Sequence, residues 1–404
     1  MRSGSDVISP EIINKVGPVV LDALVLRERP TGVGRSVLEL IRALAGTERG
    51  LDFVVLTTVP GMFDFLAGKK EWQVKECPGA KGGLLRKAFF TQFQVPRLCR
   101  QLGAGLLHSL QFVAPLRLDI PEVVTVLDLT WHSYPQTIEQ PRLGYYRFLV
   151  PRVLERADRI LAISEATGTE LAAAYPKTAD KITVTRFGTP SWVWATRDRF
   201  LSGEASRSRS VKSLTGRPYF LFVSTLEPRK NLGGLLQAYE IFLENARTAG
   251  RPEGEIPDLH LVGSKGWKDS SLRDLLARLQ NDGRLHLLGY QLKDDDLWDK
   301  YRLAQGLLFP SLHEGFGFPI LEAMAAELPV LTSNRGAMAE VGGDCVLLAD
   351  PERPREIAAK LEILAWQRAI VDDLRLRGLE RAKNWTWERT AQLTSEVYSQ
   401  IIGC

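Results

Sequence analysis

Cysteine is scarce in this chain: four in 404 residues (Cys77, Cys99, Cys345 and Cys404), widely separated, with no Cys-x-x-Cys pair and no neighbouring histidine. That spacing argues against a zinc site or a disulfide framework and fits a reducing, cytoplasmic setting. Long apolar runs are missing too. The longest, Val16 to Leu26, holds 11 residues and is interrupted by Asp22, whereas a membrane-spanning helix needs about 20. No charged start followed by an apolar stretch and a small-residue cleavage site opens the chain, so export is not expected. Nor does one charge dominate: 52 basic against 48 acidic side chains leave +4, and mean hydropathy is −0.09. So small a surplus, without a recognised module, does not support nucleic-acid binding. With 45% hydrophobic and 25% charged residues the chain is neither disordered nor fibrous.

What charge there is lies unevenly. Residues 1–200 carry 26 basic and 20 acidic side chains, and residues 201–404 carry 26 and 28. The excess gathers around Arg86, Lys87, Arg97 and Arg100, in an acid-free stretch from Lys81 to Arg117, and again from Arg142 to Arg159. A basic helix bearing Phe and Leu suits an anionic membrane surface, so peripheral contact with the inner face of the cell membrane is one expectation. A plain solvated helix face is the other.

Length alone suggests two domains. Apolar runs alternate with helix-period segments, the pattern of repeated βαβ units and parallel sheets. Strands are expected at Pro18–Leu24, Phe53–Thr58, Leu106–Ser109, Val123–Asp128, Arg159–Ser164 and Lys181–Thr185. A second series starts at Tyr219–Ser224 and continues through His260–Gly263, Leu285–Leu288, Gly306–Pro310, Val330–Ser333 and Cys345–Ala349. The fold class is therefore α/β, with two Rossmann-like doubly wound parallel-sheet domains facing across a cleft. An amino-terminal domain is expected over 1–195, a charged, Ser-rich linker over 196–216, a second domain over 217–383, and a terminal helical segment over 384–404. Ligand sites in such folds lie outside the carboxyl ends of the strands, which here means the cleft.

Three motifs sit at those strand ends. Thr31-Gly32-Val33-Gly34-Arg35-Ser36 follows the first strand and opens a helix, where glycines let backbone N–H groups approach an anion. It lacks the third glycine of a dinucleotide fingerprint. Ser224-Thr225-Leu226-Glu227-Pro228-Arg229-Lys230-Asn231 places two adjacent cations after the first strand of the second domain, which suits a diphosphate. Phe309 to Met324 (FPSLHEGFGFPILEAM) places Pro319 near a helix start. The Gly-Phe-Gly-Phe run before it can turn backbone N–H groups toward an anion. Glu314 in that loop and Glu322 about one turn into the helix are expected to face one cleft and to bind sugar or ribose hydroxyls, because carboxylates repel phosphate.

The Glu314-x7-Glu322 segment, with TLEPRKN, LVGSKGW at Leu261–Trp267, SNRGAMAEVGGDCVLLADP from Ser333, TGVGRS, ISEAT at Ile163–Thr167 and the closing NWTWERTAQLTSEVY, resembles the retaining, family 4 glycosyltransferases of GT-B fold. The likeness covers nearly the whole chain and is densest over 219–351. Its flavour is that of bacterial mannosyl- or rhamnosyltransferases of surface-polysaccharide assembly. The resemblance implies transfer of a hexosyl unit from a GDP-, dTDP- or UDP-linked sugar, with GDP-mannose first, to a glycan or lipid-linked acceptor. It implies that Arg229 and Lys230 hold the donor diphosphate and that Glu322 receives the ribose hydroxyls. Glu314 and the backbone of Gly315, Phe316, Gly317 and Phe318 would hold the donor sugar and distal phosphate. Gly32 and Gly34 would close over the diphosphate and acceptor, and the last helix would cross back onto the amino domain.

In one place the chain departs from the pattern. Many family members carry His-Asp after the strand at Val123–Val126; this chain has Leu127-Asp128. Asp128, His132 four residues beyond Asp128, and His108 at a strand end remain as candidate sugar or acceptor contacts, with a packing role as the alternative for His132. Asp294-Asp295-Asp296 is read as the start of a helix rather than as a metal ligand set, and no metal or cofactor is expected. Two other functions stay open at this point: a sugar-nucleotide 2-epimerase of the same fold, and a non-catalytic nucleotide-sugar-binding scaffold.

Overall fold

The computed structural model describes residues 17–28, 30, 32–47, 50–203, 214–263, 270–289 and 293–403. Thr31, residues 204–213 of the expected linker and the latter part of LVGSKGW lie outside the described residues.

Thirteen strands occur among them: β1 (Val19–Asp22), β2 (Phe53–Thr57), β3 (Trp72–Glu76), β4 (Leu106–Ser109), β5 (Glu122–Val126), β6 (Arg159–Ala162), β7 (Ile182–Val184), β8 (Tyr219–Val223), β9 (Asp258–Val262), β10 (Leu285–Leu287), β11 (Gly306–Phe309), β12 (Val330–Ser333) and β13 (Leu347–Ala349). They form two sheets, ordered β3-β2-β1-β4-β5-β6-β7 and β10-β9-β8-β11-β12-β13. Every pairing is parallel; Val19 lies opposite both Phe53 and Leu106, and Leu307 opposite both Val330 and Leu221. Helices cover both faces of such sheets, so most strands bury every residue and read as unbroken apolar runs such as VVLD and GLLF. The edge strand β3 was not expected from sequence. Its WQVKE is only partly buried and alternates apolar with polar residues, so it shows no such run.

The order of each sheet reverses beside its first strand, between β1 and β4 and between β8 and β11. Loops leaving those strands part to opposite sides and open a crevice. The Arg229-Lys230 turn follows β8, the Glu314 loop follows β11, and the Gly32–Leu44 helix follows β1.

Helix Ser191–Leu201 occupies part of the stretch read as linker, and it lies against the second domain: Arg197 donates to the Ala325 carbonyl at 2.8 Å and Arg199 pairs with Asp295 at 2.6 Å. The terminal helix, Trp387–Ile402, rests on helix Gly32–Leu44 of the amino domain. Its Tyr398 hydroxyl meets His108 Nδ1 at 2.5 Å, and its Thr390 hydroxyl donates to the Arg186 carbonyl at 2.6 Å. No helix among the described residues is long and apolar enough to cross a membrane.

Candidate active site

Local backbone geometry brings the two cations together. Pro228–Lys230 form a single 3-10 turn, and Asn231 takes a left-handed conformation (φ 57°) before helix Leu232–Thr248 starts. That conformation costs a non-glycine residue roughly 1–2 kcal/mol. The Asn231 side chain helps hold it by donating to the Pro310 and Pro351 carbonyls at 3.1 and 2.6 Å, tying the β8 turn to the loops after β11 and β13. Leu312 N–H donates to the Arg229 carbonyl at 2.7 Å and joins the two loops directly.

Glu314 lies between the two cations. Arg229 Nη1 donates to its Oε2 at 2.7 Å and Lys230 Nζ to its Oε1 at 2.5 Å, while Arg229 also reaches Glu227 at 3.0 Å and the His313 carbonyl at 3.2 Å. Burial alone would raise the Glu314 carboxyl; Lys230 and then Arg229 overcome it and hold it down to about 2. Burial pulls Lys230 below its usual range, which Glu314 partly offsets, and Arg229 is raised because Glu314, Asp128 and Glu227 outweigh its own burial. With both oxygens engaged by cations, Glu314 is a poor base and a poor nucleophile. Its value in the folded chain lies below its ordinary 4.5, so ionised Glu314 stabilises the fold above pH 4.5. That contribution drains away as pH falls from 4.5 toward about 2 and amounts to about 3 kcal/mol. Thermal melts of wild type and Glu314→Gln should therefore differ most at neutral pH and converge across that window; a constant gap down to pH 2 would refute the assignment.

The amino domain grips the same loop. Ser164 Oγ and Thr167 Oγ1, from the ISEAT segment, donate to the Gly315 carbonyl at 2.8 and 3.0 Å. Tyr134 donates to the Leu312 carbonyl at 3.3 Å, and His313 Nε2 meets Glu170 at 2.9 Å. The Glu340 carboxylate accepts N–H bonds from Glu165 and Ala166 at the start of helix Glu165–Ala174, at 3.0 and 2.9 Å. A Cβ on Gly315 would lie 1.7 Å from the Leu127 carbonyl oxygen, so this glycine serves the contact between domains. Gly317 has φ 122° and precedes helix Phe318–Ala325, a turn that only glycine makes readily. The Phe316 and Phe318 side chains join Phe187, Trp385 and Trp387 in an aromatic cluster, with Phe187 and Trp387 4.7 Å apart. Only the backbone of this run is left to face a ligand.

A cavity of about 740 Å³ opens beside Arg229 and Glu227. The amino domain lines it with Asp22, Gly34, Lys87, Asp128 and Arg142, and with Phe112, Trp131 and Tyr146. Asp128 lines this cavity with Oδ1 accepting the Thr130 N–H at 3.0 Å. Leu127 also lines the cavity, at the position of the family's histidine. Gly34 lines it, and an added Cβ would meet Pro30 at 2.9 Å; Gly32 starts the same helix in open space.

Three sequence expectations need correction. His108 does not face the cleft: it is fully buried, its nitrogens engaged by Tyr398 and by Thr125 Oγ1 at 2.7 Å, and burial pushes it down to about 3. Holding the terminal helix is what it does. His132 is exposed, turned toward Tyr175 with ring centres 6.3 Å apart, and does not line the cavity. Glu322 does not join the Glu314 cluster. It is buried, its Oε2 accepts the Tyr301 hydroxyl at 2.6 Å, and burial raises its carboxyl against the pull of Tyr301 and Arg35. Asp294–Asp296 do open a helix, and Asp294 pairs with Arg35 of the amino domain at 3.1 Å.

Asp22, Arg35, Ser164, Thr167 and the aromatic wall escaped the sequence reading. For Asp22 a signal was present: a lone carboxylate closing an otherwise apolar strand. Arg35, Ser164 and Thr167 stood inside quoted motifs, but their partners lie in the other domain and carry no local mark.

Two family models match the chain, "Glycosyltransferase Family 4" over residues 30–189 and "Glycosyl transferases group 1" over residues 205–384. The O-antigen chain mannosyltransferase B of Escherichia coli is 32% identical over 298 residues, 73% of this chain and 74% of that protein. Among solved structures, sucrose-phosphate synthase from Thermosynechococcus elongatus superposes with a TM-score of 0.71 at 18% identity, covering 96% of this chain and 99% of that one. HepE from Anabaena, in complex with UDP and glucose, gives 0.66 at 18% identity, over 95% and 99%. These likenesses set aside the epimerase and scaffold readings. Two parallel sheets in GT-B arrangement, two cations and a carboxylate at the second switch point, and family matches along both halves lead to one conclusion: the chain belongs to the family 4 glycosyltransferases.

Proposed function

We propose that this glycosyltransferase moves a mannosyl unit from GDP-mannose to a hydroxyl of a glycan or lipid-linked acceptor, with retention of configuration and without a metal. The observation that carries the reading is the Arg229–Glu314–Lys230 cluster at the crevice between β8 and β11. A buried lysine and a partly buried arginine held by one carboxylate form a preorganised site for a diphosphate, which supplies charge on both of its phosphates. The sugar is suggested by the E. coli mannosyltransferase, and a nucleoside diphosphate donor by the UDP held in the HepE structure.

In the reaction the bond from the sugar's anomeric carbon to the diphosphate breaks and the acceptor oxygen takes its place. The acceptor proton passes to the departing diphosphate, whose charge Arg229 and Lys230 take up. No metal is required for that charge. Glu314, occupied by its cations, is unsuited to attack the sugar, which favours entry of the acceptor on the face the diphosphate leaves. Catalysis then rests on positioning and electrostatics. The donor sits on the second domain, under the backbone of Gly315 to Phe318, and the acceptor enters from the amino-domain cavity. Glu322, with Oε2 accepting the Tyr301 hydroxyl, keeps a second carboxylate oxygen for the ribose hydroxyls.

Peripheral membrane contact belongs to the same proposal. Leu85, Phe89 and Phe93 are 86%, 57% and 62% exposed on the basic helical stretch beginning at Leu84, beside the cavity that Leu84 and Lys87 line.

Calorimetric titration with GDP, UDP, dTDP and ADP, each with and without EDTA, tests the donor reading. Binding of GDP in preference to the others, unchanged by EDTA, is the expected result. A preference for UDP would overturn the donor, and loss of binding in EDTA would overturn metal independence.

A further inference from the structure

Two groups of charges share the 740 Å³ cavity. One is Arg229 with Glu227 and Asp128, which belongs to the donor site. The other is formed by Arg27, Lys87 and Arg142, from the segment after β1, helix Leu84–Phe89 and helix Gln140–Arg156. These three cations converge on one space, yet among the described residues none of their side chains makes a hydrogen bond or ion pair, whereas Arg86 and Arg100 nearby do. Burial and its like-charged neighbours Arg27 and Arg142 push Lys87 down, and Asp22 alone pulls it up. Asp22 is 3% exposed, lines the cavity, and spends Oδ1 on the Leu24 N–H at 3.0 Å.

Three convergent cations, with Asp22 and Glu139 as the carboxylates on the same wall, leave a surplus of positive charge that favours a ligand of opposite sign. Two of them are arginines, whose planar forks match phosphate oxygens. The rest of the wall is aromatic: Phe112 lies 4.2 Å from Trp131 and 5.1 Å from Tyr146 between ring centres. Such faces accept the apolar side of a sugar ring.

We propose that the acceptor is a sugar bearing a phosphate group, bound with its phosphate on Arg27, Lys87 and Arg142, its ring against Phe112 and Tyr146, which the buried Trp131 backs, and a hydroxyl on Asp22. This rests on the reading of Arg229 and Lys230 as the donor diphosphate site, which leaves the second group of cations to the acceptor. The phosphate comes either from a soluble sugar phosphate or from the diphosphate of a lipid-linked sugar.

The test is calorimetric titration of the full chain with mannose, glucose and N-acetylglucosamine 1-phosphates, with the matching methyl glycosides and inorganic phosphate as controls. At least one sugar phosphate is expected to bind tenfold more tightly than its methyl glycoside and than phosphate. The Arg27→Ala/Arg142→Ala double variant should weaken it at least tenfold, while Lys230→Ala changes it less than twofold. Undiminished binding in the double variant, a loss in Lys230→Ala instead, or no binding by any of the three overturns the proposal. GDP affinity and melting temperature unchanged in the double variant show that it folds. GDP binding indifferent to Lys230→Ala would sink the donor reading separately, whatever the sugar phosphates do. The preferred sugar on a short polyprenyl diphosphate decides the source. A tenfold gain that Phe89→Ser/Phe93→Ser abolishes supports a lipid-linked acceptor, and equal affinity supports a soluble one.

Discussion

Lys230→Ala lowers kcat by about 10²–10³-fold, the loss seen when one preorganised donor to a developing negative charge is removed. The ammonium lies at the carboxyl end of β8, buried and 2.5 Å from Glu314. When the donor bond breaks, charge grows on the diphosphate, and a cation already fixed in a site that excludes water meets it without reorganising. Without Lys230, Glu314 keeps Arg229 at 2.7 Å, so no buried carboxylate is left unpaired and the fold survives. Steady-state rates with GDP-mannose, read beside melting temperature and circular dichroism, check this. A variant with near-wild-type turnover would remove Lys230 from the mechanism, and one that fails to fold would make its role structural.

Gly315→Ala is expected to cost at least about 100-fold in kcat/KM, although the added group is a single methyl. Its Cβ would stand 1.7 Å from the Leu127 carbonyl oxygen and 2.9 Å from Asp128 Cβ. Backbone cannot yield as a flexible side chain does, so the loop must withdraw from the amino domain. Withdrawal breaks the bonds from Ser164 and Thr167 to the Gly315 carbonyl and shifts the neighbouring Glu314, with both its cations. Displacements of about 1 Å in a reacting geometry cost roughly 10²-fold, and overpacking costs about 1–3 kcal/mol. Melting should fall by several degrees. Gly61→Ala, where an added Cβ meets nothing within 4 Å, is the control and should leave rate and melting unchanged. A Gly315→Ala enzyme within twofold of wild type would show that the two domains need not meet at Leu127 during turnover.

Much of the fold is legible in sequence because a parallel sheet covered on both faces makes each strand an unbroken apolar run. VVLD, YFLFV and GLLF announce themselves without knowledge of their neighbours. The edge strand at WQVKE does not, since one side lacks a partner and its residues are only partly buried. Lys230 and Glu314 were legible for a related reason: each sits in a turn immediately after a strand, and strand ends point to the crevice whatever the rest of the chain does. The Arg229-Lys230 doublet and the Gly-Phe-Gly-Phe-Pro run are local chemistry, and local chemistry survives in one dimension.

Contacts between segments far apart in the chain are another matter. His108, Thr125 and Tyr398 form one buried network across 290 positions of sequence, and nothing in the HSL surrounding His108 distinguishes a residue facing a cleft from one under the last helix. Arg35 similarly owes its Asp294 partner to the meeting of the two domains, and Glu322 owes Tyr301 to a neighbouring helix of its own domain. The sequence by itself determined the two α/β domains and the placing of Arg229 and Lys230 in a turn that follows a strand, because periodicity and turn chemistry act over a few residues. Tertiary structure alone decided which face each histidine and carboxylate presents, that the Gly315 carbonyl is held from the other domain, and that three lone cations share a cavity with Asp22. The reason is physical: burial, charge pairing and cavity shape are properties of neighbours in space, and those neighbours are chosen by the packing of whole sheets.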